Sequence, residues 1–210
     1  MKISPTLTEV KEIAKTGKYD ILPVSCEILS DFITPIEAMR ILRNVSTHCY
    51  LLESAQANEA WGRYTFLGYD PKLEINCIDG HMKLGKLSVE TENPSEYIRQ
   101  ILSEYKSPKF DYLPSFTGGL VGYFSYDYLG YKEKSIRGKA RDTEDFKDVD
   151  LMLFDKVIAF DNLCQKIILI ANMSLDAPET GYNKAIVELK QLRELLMHGE
   201  KKQNMGGKLL

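Results

Sequence analysis

Two pairs of short apolar runs, each closed by a turn signal, constrain the fold of this 210-residue chain most. Residues 72–77 (Lys72-Leu73-Glu74-Ile75-Asn76-Cys77) alternate polar and apolar side chains, Asp79-Gly80 follows, and 81–84 returns. Aspartate-glycine tolerates the positive φ that a two-residue hairpin turn needs. Strict alternation also means that one face of 72–77 is wet. Further on, the apolar runs 151–160 and 166–171 are joined through Asp161-Asn162, which reads as a second hairpin. Strands joined this tightly are antiparallel, because a parallel return needs a crossover of about a dozen residues.

Helices punctuate the strands singly. Leu7, Val10, Ile13 and Ala14 give residues 6–16 a helical period. Residues 21–28 read as a strand, and Pro23, with no N–H, suits an edge position. Thr34-Pro35-Ile36-Glu37 is a helix start with a capping box, predicting a helix over 34–43 with Ile36, Met39 and Leu42 inward. Residues 47–53 are apolar at nearly every position, which predicts a strand buried on both faces, and 87–90 adds a short strand. Asn93-Pro94 opens a helix carrying Tyr97, Ile98, Ile101, Leu102 and Tyr105 on its core stripe. A strand is expected over 119–126, a charged excursion with one short helix over 128–148, and the longest helix over 181–197. That last helix carries Tyr182, Ala185, Ile186, Leu189, Leu192 and Leu196 on one stripe. Strand runs with isolated helices and no βαβ regularity define an α+β chain: antiparallel sheet or sheets with helices packed outside. Residues 1–198 read as one domain and 199–210 have linker composition.

Composition removes several function classes. The net charge is −3, and the basic residues are interleaved with acids, which excludes a nucleic-acid surface. No apolar run approaches the ~20 residues that span a bilayer, and 1–5 lack the apolar core of a signal peptide, so no membrane partner and a cytoplasmic location are expected. Cys26, Cys49, Cys77 and Cys164 are too scattered for a disulfide framework. No metal site is expected: His48, His81 and His198 lack ligand spacing, and the acids of 145–150 lack the glycine and terminal glutamate of a calcium loop. Gly118-Gly119-Leu120-Val121-Gly122 has neither the Lys-Ser/Thr of a P-loop nor Gly-x-Gly-x-x-Gly. Gly118, Gly119 and Gly122 are therefore read as structural, marking a bend or the close approach of another backbone.

One constellation carries chemistry. Leu51-Leu52-Glu53-Ser54 ends a strand at a carboxylate and a hydroxyl, and Gly62-Arg63-Tyr64-Thr65-Phe66-Leu67-Gly68 returns with a guanidinium among aromatics. Carboxylate attracts ammonium, guanidinium grips carboxylate as a fork, and aromatic rings accept a flat side chain, so the set suits a small zwitterion. The alternative is a strand ending at a polar turn satisfied by backbone groups.

In order and spacing these blocks, together with Gly118-Gly119-Leu120-Val121-Gly122-Tyr123-Phe124 and Asp155-Lys156-Val157-Ile158-Ala159-Phe160-Asp161, resemble the amino-terminal region of anthranilate synthase component I. The resemblance runs from about Thr34 to Leu196. It implies the amino-terminal half of a chorismate-utilising enzyme sandwich, with L-tryptophan as feedback effector at Glu53, Ser54, Arg63, Tyr64 and Thr65. Ser54 would bond the amino-acid backbone, Glu53 would lie beside the ammonium, and Arg63 would meet the carboxylate or brace Glu53. Thr65 stands where the family usually has serine. The resemblance further implies a chorismate-binding catalytic half beyond Leu210, carrying the acid/base groups and the Mg2+ ligands. It also implies a glutamine amidotransferase subunit as partner. Chorismate and glutamine (or ammonia) would become anthranilate and pyruvate, and this chain alone would be inactive. The glycine block would meet the catalytic half. Two alternatives remain open: the corresponding region of aminodeoxychorismate synthase, and a stand-alone tryptophan-binding or assembly module.

Overall fold

The computed structural model of the chain describes residues 1–53, 62–133, 135 and 146–200. Its first elements are β1 (Ile3–Ser4), α1 (Leu7–Lys15), β2 (Ile21–Leu29), α2 (Pro35–Val45), β3 (Cys49–Leu52) and β4 (Tyr64–Tyr69). Next come β5 (Leu73–Ile78), β6 (His81–Leu84), β7 (Leu87–Glu90), α3 (Pro94–Ser103) and β8 (Gly119–Phe124). A 3-10 helix (Tyr126–Tyr131), β9 (Val149–Phe154), β10 (Lys156–Asp161), β11 (Lys166–Ser174) and α4 (Pro178–His198) complete the order. The architecture is α+β with two antiparallel sheets, as the hairpins predict. The chain divides into two units: 1–70 with 107–117 and 155–210, and 71–106 with 118–154. The proposed linker falls almost wholly outside the described residues, as does most of the charged excursion.

The first unit is built on a six-stranded sheet ordered β1-β2-β11-β10-β4-β3. Its centre is the β10–β11 hairpin, paired from Lys156↔Ala171 to Asp161↔Lys166. One sheet face, with Leu22, Val24, Leu67, Ile158, Ile167 and Leu169 fully buried, lies in one core with α1, α2 and α4. Each such side chain contributes roughly 1.5–3 kcal/mol by leaving water. Both α1 and α2 start with capping boxes, Thr6 with Glu9 and Thr34 with Glu37. α4 buries Tyr182, Ala185, Leu189, Leu192 and Leu196, as its period predicts. The other sheet face, with Val157, Ala159, Ile168 and Ile170, is covered by Phe110, Leu113 and Phe116 from the irregular segment 107–117.

Three local expectations change. α2 buries Ala38, Ile41 and Leu42, while Ile36 is exposed. At 100° per residue Ile36 lies about 120° round the helix from Leu42, and small Ala38 takes the inward position instead. β3 is an outer strand rather than one buried on both faces: among the described residues it pairs only with β4, and Leu52 at its end is exposed. The run 151–160 is two strands in different sheets, parted at Asp155. The carbonyl of Asp155 accepts from Asn172 N at 2.8 Å and Nδ2 at 3.0 Å, and that Nδ2 also donates to the Thr117 carbonyl at 2.7 Å. Pro23 keeps its edge character, because β1 pairs only with Ser25 and Cys26 of β2.

The second unit holds the five-stranded sheet β7-β6-β5-β9-β8. The β5–β6 hairpin turns at Asp79 (φ 49°) and Gly80 (φ 84°), as read from the sequence. α3 sets Ile98, with Tyr97 and Ile101, on Ile75, Cys77, Met82, Val149 and Leu151, whereas Leu102 is exposed. The 3-10 helix is tied to that hairpin by Tyr131, whose hydroxyl donates to Asp148 Oδ2 at 2.6 Å and accepts from Gly80 N at 2.7 Å. Asp79 N donates to the same carboxylate oxygen at 2.8 Å. Burial, then the bond to Asp148, push the Tyr131 phenol above its ordinary range. Gly122 of β8 has φ +153°, and a Cβ there would lie 2.0 Å from the Asp150 carbonyl oxygen. The backbone approaching Gly122 is thus that of β9 in its own sheet.

Candidate functional site

β3 and β4 bring the two halves of the candidate site to one end of an outer ladder. Their register is Cys49↔Tyr69, Tyr50↔Gly68, Leu51↔Leu67 and Leu52↔Phe66. Glu53 follows the last pair and is exposed, whereas Ser54 lies outside the described residues. Arg63 immediately precedes β4. Cross-strand partners share a face, so Tyr64 and Phe66 lie on the face covered by 107–117 and Thr65 and Leu67 on the helix-covered face.

Arg63 is engaged by a residue the motif does not contain. Its Nε donates to Asp161 Oδ1 at 3.1 Å and its Nη2 to Oδ2 at 2.7 Å, a bidentate fork. The Asp161 side chain has 0% exposure, and that of Arg63 has 36%. Oδ1 of Asp161 also accepts from Leu163 N at 3.2 Å and Cys164 N at 3.0 Å, closing the β10–β11 loop. Burial alone would push the Asp161 carboxyl up; the fork and the Cys164 N–H outweigh it and hold the pKa at about 2. The hydrogen bond to Asp161 raises Arg63 in turn. The guanidinium carbon lies 4.9 Å from the Tyr64 ring centroid, within cation–π range. The sequence offers Arg63 two roles, meeting a ligand carboxylate or bracing Glu53; the carboxylate it forks is Asp161, 98 residues away.

Thr65 is 1% exposed, and its hydroxyl accepts from Asn162 Nδ2 at 3.3 Å. Tyr64, Phe66, Phe116 and Tyr50 form a run of rings, with centroid separations of 5.8 Å, 5.6 Å and 6.3 Å in that order. Gly68 is needed there, since a Cβ would lie 2.2 Å from Cε1 of Tyr50. The arrangement therefore offers a carboxylate, a pinned guanidinium and an aromatic wall beside one strand end. Neither Asp161 nor Phe116 is read as a site residue in the sequence; Asp161 stands there only as the end of the 155–161 block and the start of a hairpin turn.

A separate cavity of about 420 Å3 is lined by Ser4, Pro5, Thr8, Ile13, Phe110 and Tyr112, with Glu9 and Glu12 at its side, and none of the candidate residues reaches it. Both glutamates are taken, by Thr6 and by Lys15. Among the described residues no three His, Cys, Asp or Glu side chains are placed to hold a metal ion. Nor is any described helix long and apolar enough to cross a membrane.

No protein-family model matches the chain. It is 34% identical over 198 residues to anthranilate synthase component 1 of Acetivibrio thermocellus, spanning 91% of this chain and 39% of that protein. It is 36% identical over 196 residues to the Pseudomonas aeruginosa protein of the same name, again spanning 39% of it. Among solved structures it is similar to anthranilate synthase component I from Streptococcus pneumoniae TIGR4, at TM-score 0.51 and 25% identity over 79% of this chain and 36% of that one. The fold and site define a two-sheet α+β module with an arginine-carboxylate clamp where β4 meets β10. Relatives at 29–36% identity over about 90% of this chain are anthranilate synthase component 1, and the chain spans only the amino-terminal ~39% of their length.

Proposed function

We propose that this chain is the effector-binding part of an anthranilate synthase component I, with L-tryptophan as ligand. The observation that carries the reading is the pinned Arg63 guanidinium and aromatic wall at the end of the β3–β4 ladder, in a chain with these relatives. Glu53 attracts the ammonium, Ser54 bonds the amino-acid backbone, Arg63 meets the carboxylate and Tyr64 flanks the ring. Thr65, buried and bonded to Asn162, supports the strand instead of touching ligand. The whole enzyme converts chorismate to anthranilate and pyruvate with ammonia from a glutamine amidotransferase subunit. The chorismate-binding half supplies the catalytic groups and the Mg2+ site, and the present chain alone is inactive. Tryptophan inhibits by binding one arrangement of the whole enzyme more tightly than the other.

The test is a chimaera in which this chain replaces the amino-terminal 39% of the Acetivibrio thermocellus relative. Anthranilate fluorescence should appear with chorismate and ammonia, and L-tryptophan should suppress it. Ser54→Phe should raise the inhibitory concentration at least about tenfold, as loss of one ligand hydrogen bond with added bulk implies, and leave uninhibited turnover near the parent's. Turnover insensitive to tryptophan, or unchanged sensitivity in Ser54→Phe, would contradict the reading.

A further inference from the structure

We infer that Asp161 is the positioning residue of the effector site: its buried carboxylate holds one edge of the Arg63 guanidinium so that another edge, through Nη1, faces the carboxylate of the ligand. The inference rests on the effector reading above and adds a residue outside the 51–54 and 62–68 blocks.

A guanidinium has five N–H donors in a rigid plane, and a carboxylate spans only one edge. Asp161 takes the Nε–Nη2 edge at 3.1 Å and 2.7 Å and leaves Nη1 unused by the fork. Asp161 cannot follow a moving arginine, because Oδ1 is also held by Leu163 N and Cys164 N. The same loop fixes the arginine backbone, with Asn162 N donating to the Arg63 carbonyl at 2.9 Å. Tyr64 lies against the guanidinium plane at 4.9 Å. Three restraints thus act on a side chain that still has 36% exposure. A free arginine loses much rotamer freedom when it grips a ligand; one already held loses little. Asp161 also repels a second carboxylate, but that repulsion crosses a solvent-screened group and is the smaller effect.

The experiment compares L-tryptophan with tryptamine, which has the same ring and ammonium but no carboxylate, by calorimetry on the 210-residue chain. Asp161→Asn keeps the volume and an oxygen for the Leu163 and Cys164 N–H groups, yet can turn amide hydrogens toward Nη2. It should weaken L-tryptophan about tenfold, the size expected for one charge-assisted hydrogen bond, and leave tryptamine unchanged. Arg63→Lys, which keeps the charge without the fork, should show the same selective loss, and the double variant little more. Equal losses for both ligands would mean a purely structural pair and overturn the inference. So would unchanged or tighter L-tryptophan binding in Asp161→Asn. If that variant does not fold, Arg63→Lys carries the same comparison. A folded parent that binds neither ligand overturns the effector reading itself, and the inference with it.

Discussion

Gly122→Ala should cost the second unit about 3–5 kcal/mol. The added Cβ would sit 2.0 Å from the Asp150 carbonyl oxygen, 2.9 Å from the Asp150 carbonyl carbon and 2.9 Å from the Leu151 Cα. All three are backbone atoms of β9, so no side chain can swing aside. Relief means moving β8 by roughly 1 Å from a partner it matches over six register pairs, from Gly119↔Phe154 to Phe124↔Val149. Two weakened ladder bonds cost about 1 kcal/mol each. A φ of +153° is unfavourable for alanine and adds about 1–3 kcal/mol. Urea unfolding gives the total, and amide hydrogen exchange shows whether the loss is centred on β8 and β9. A cost under about 1 kcal/mol, or unchanged exchange at Val121 and Leu151, would refute the argument that β9 dictates glycine at this position.

Other perturbations follow from single contacts. Tyr131→Phe removes the group bonded to both Asp148 and Gly80 N, and should destabilise by about 2–3 kcal/mol in urea, since a buried carboxylate loses a partner; a change below about 0.5 kcal/mol would count against the tie. Asp161, held at about 2 against an ordinary 3.8, stabilises the fold above pH ~4, and that contribution is lost as pH falls through ~2. It is worth about 2 kcal/mol at neutral pH, so the gap in stability between the parent and Asp161→Asn should narrow on acidification over that window. Leu169→Ala, fully buried at the centre of the first unit's sheet, should cost about 2–5 kcal/mol by calorimetric melting.

What could be read from the sequence was local. Asp79-Gly80, Asp161-Asn162, the Thr34–Glu37 capping box and the α4 stripe each signal through neighbours within four residues. The failures were matters of distance. Nothing near Asp155 says that an apolar run leaves one sheet and enters another, because the group that meets it is Asn172. Nothing in 107–117 has a period, yet Phe110, Leu113 and Phe116 cover a sheet face. The candidate site divides the same way. Glu53, Ser54 and Arg63 stand out as a chemical set in the chain, while the carboxylate that orients Arg63 lies 98 residues further on and is supplied only by the β4–β10 register, Tyr64↔Asp161. Thr65 belongs to the motif in sequence but faces away from Tyr64 in the strand, since successive residues alternate faces.

The central claim is that the chain carries an amino-acid effector site, and isothermal titration with L-tryptophan tests it most directly. Circular dichroism first establishes that the 210-residue chain is folded. Saturable binding at one site per chain, lost in Ser54→Phe, is the predicted result. A folded chain that takes up no tryptophan would contradict the claim.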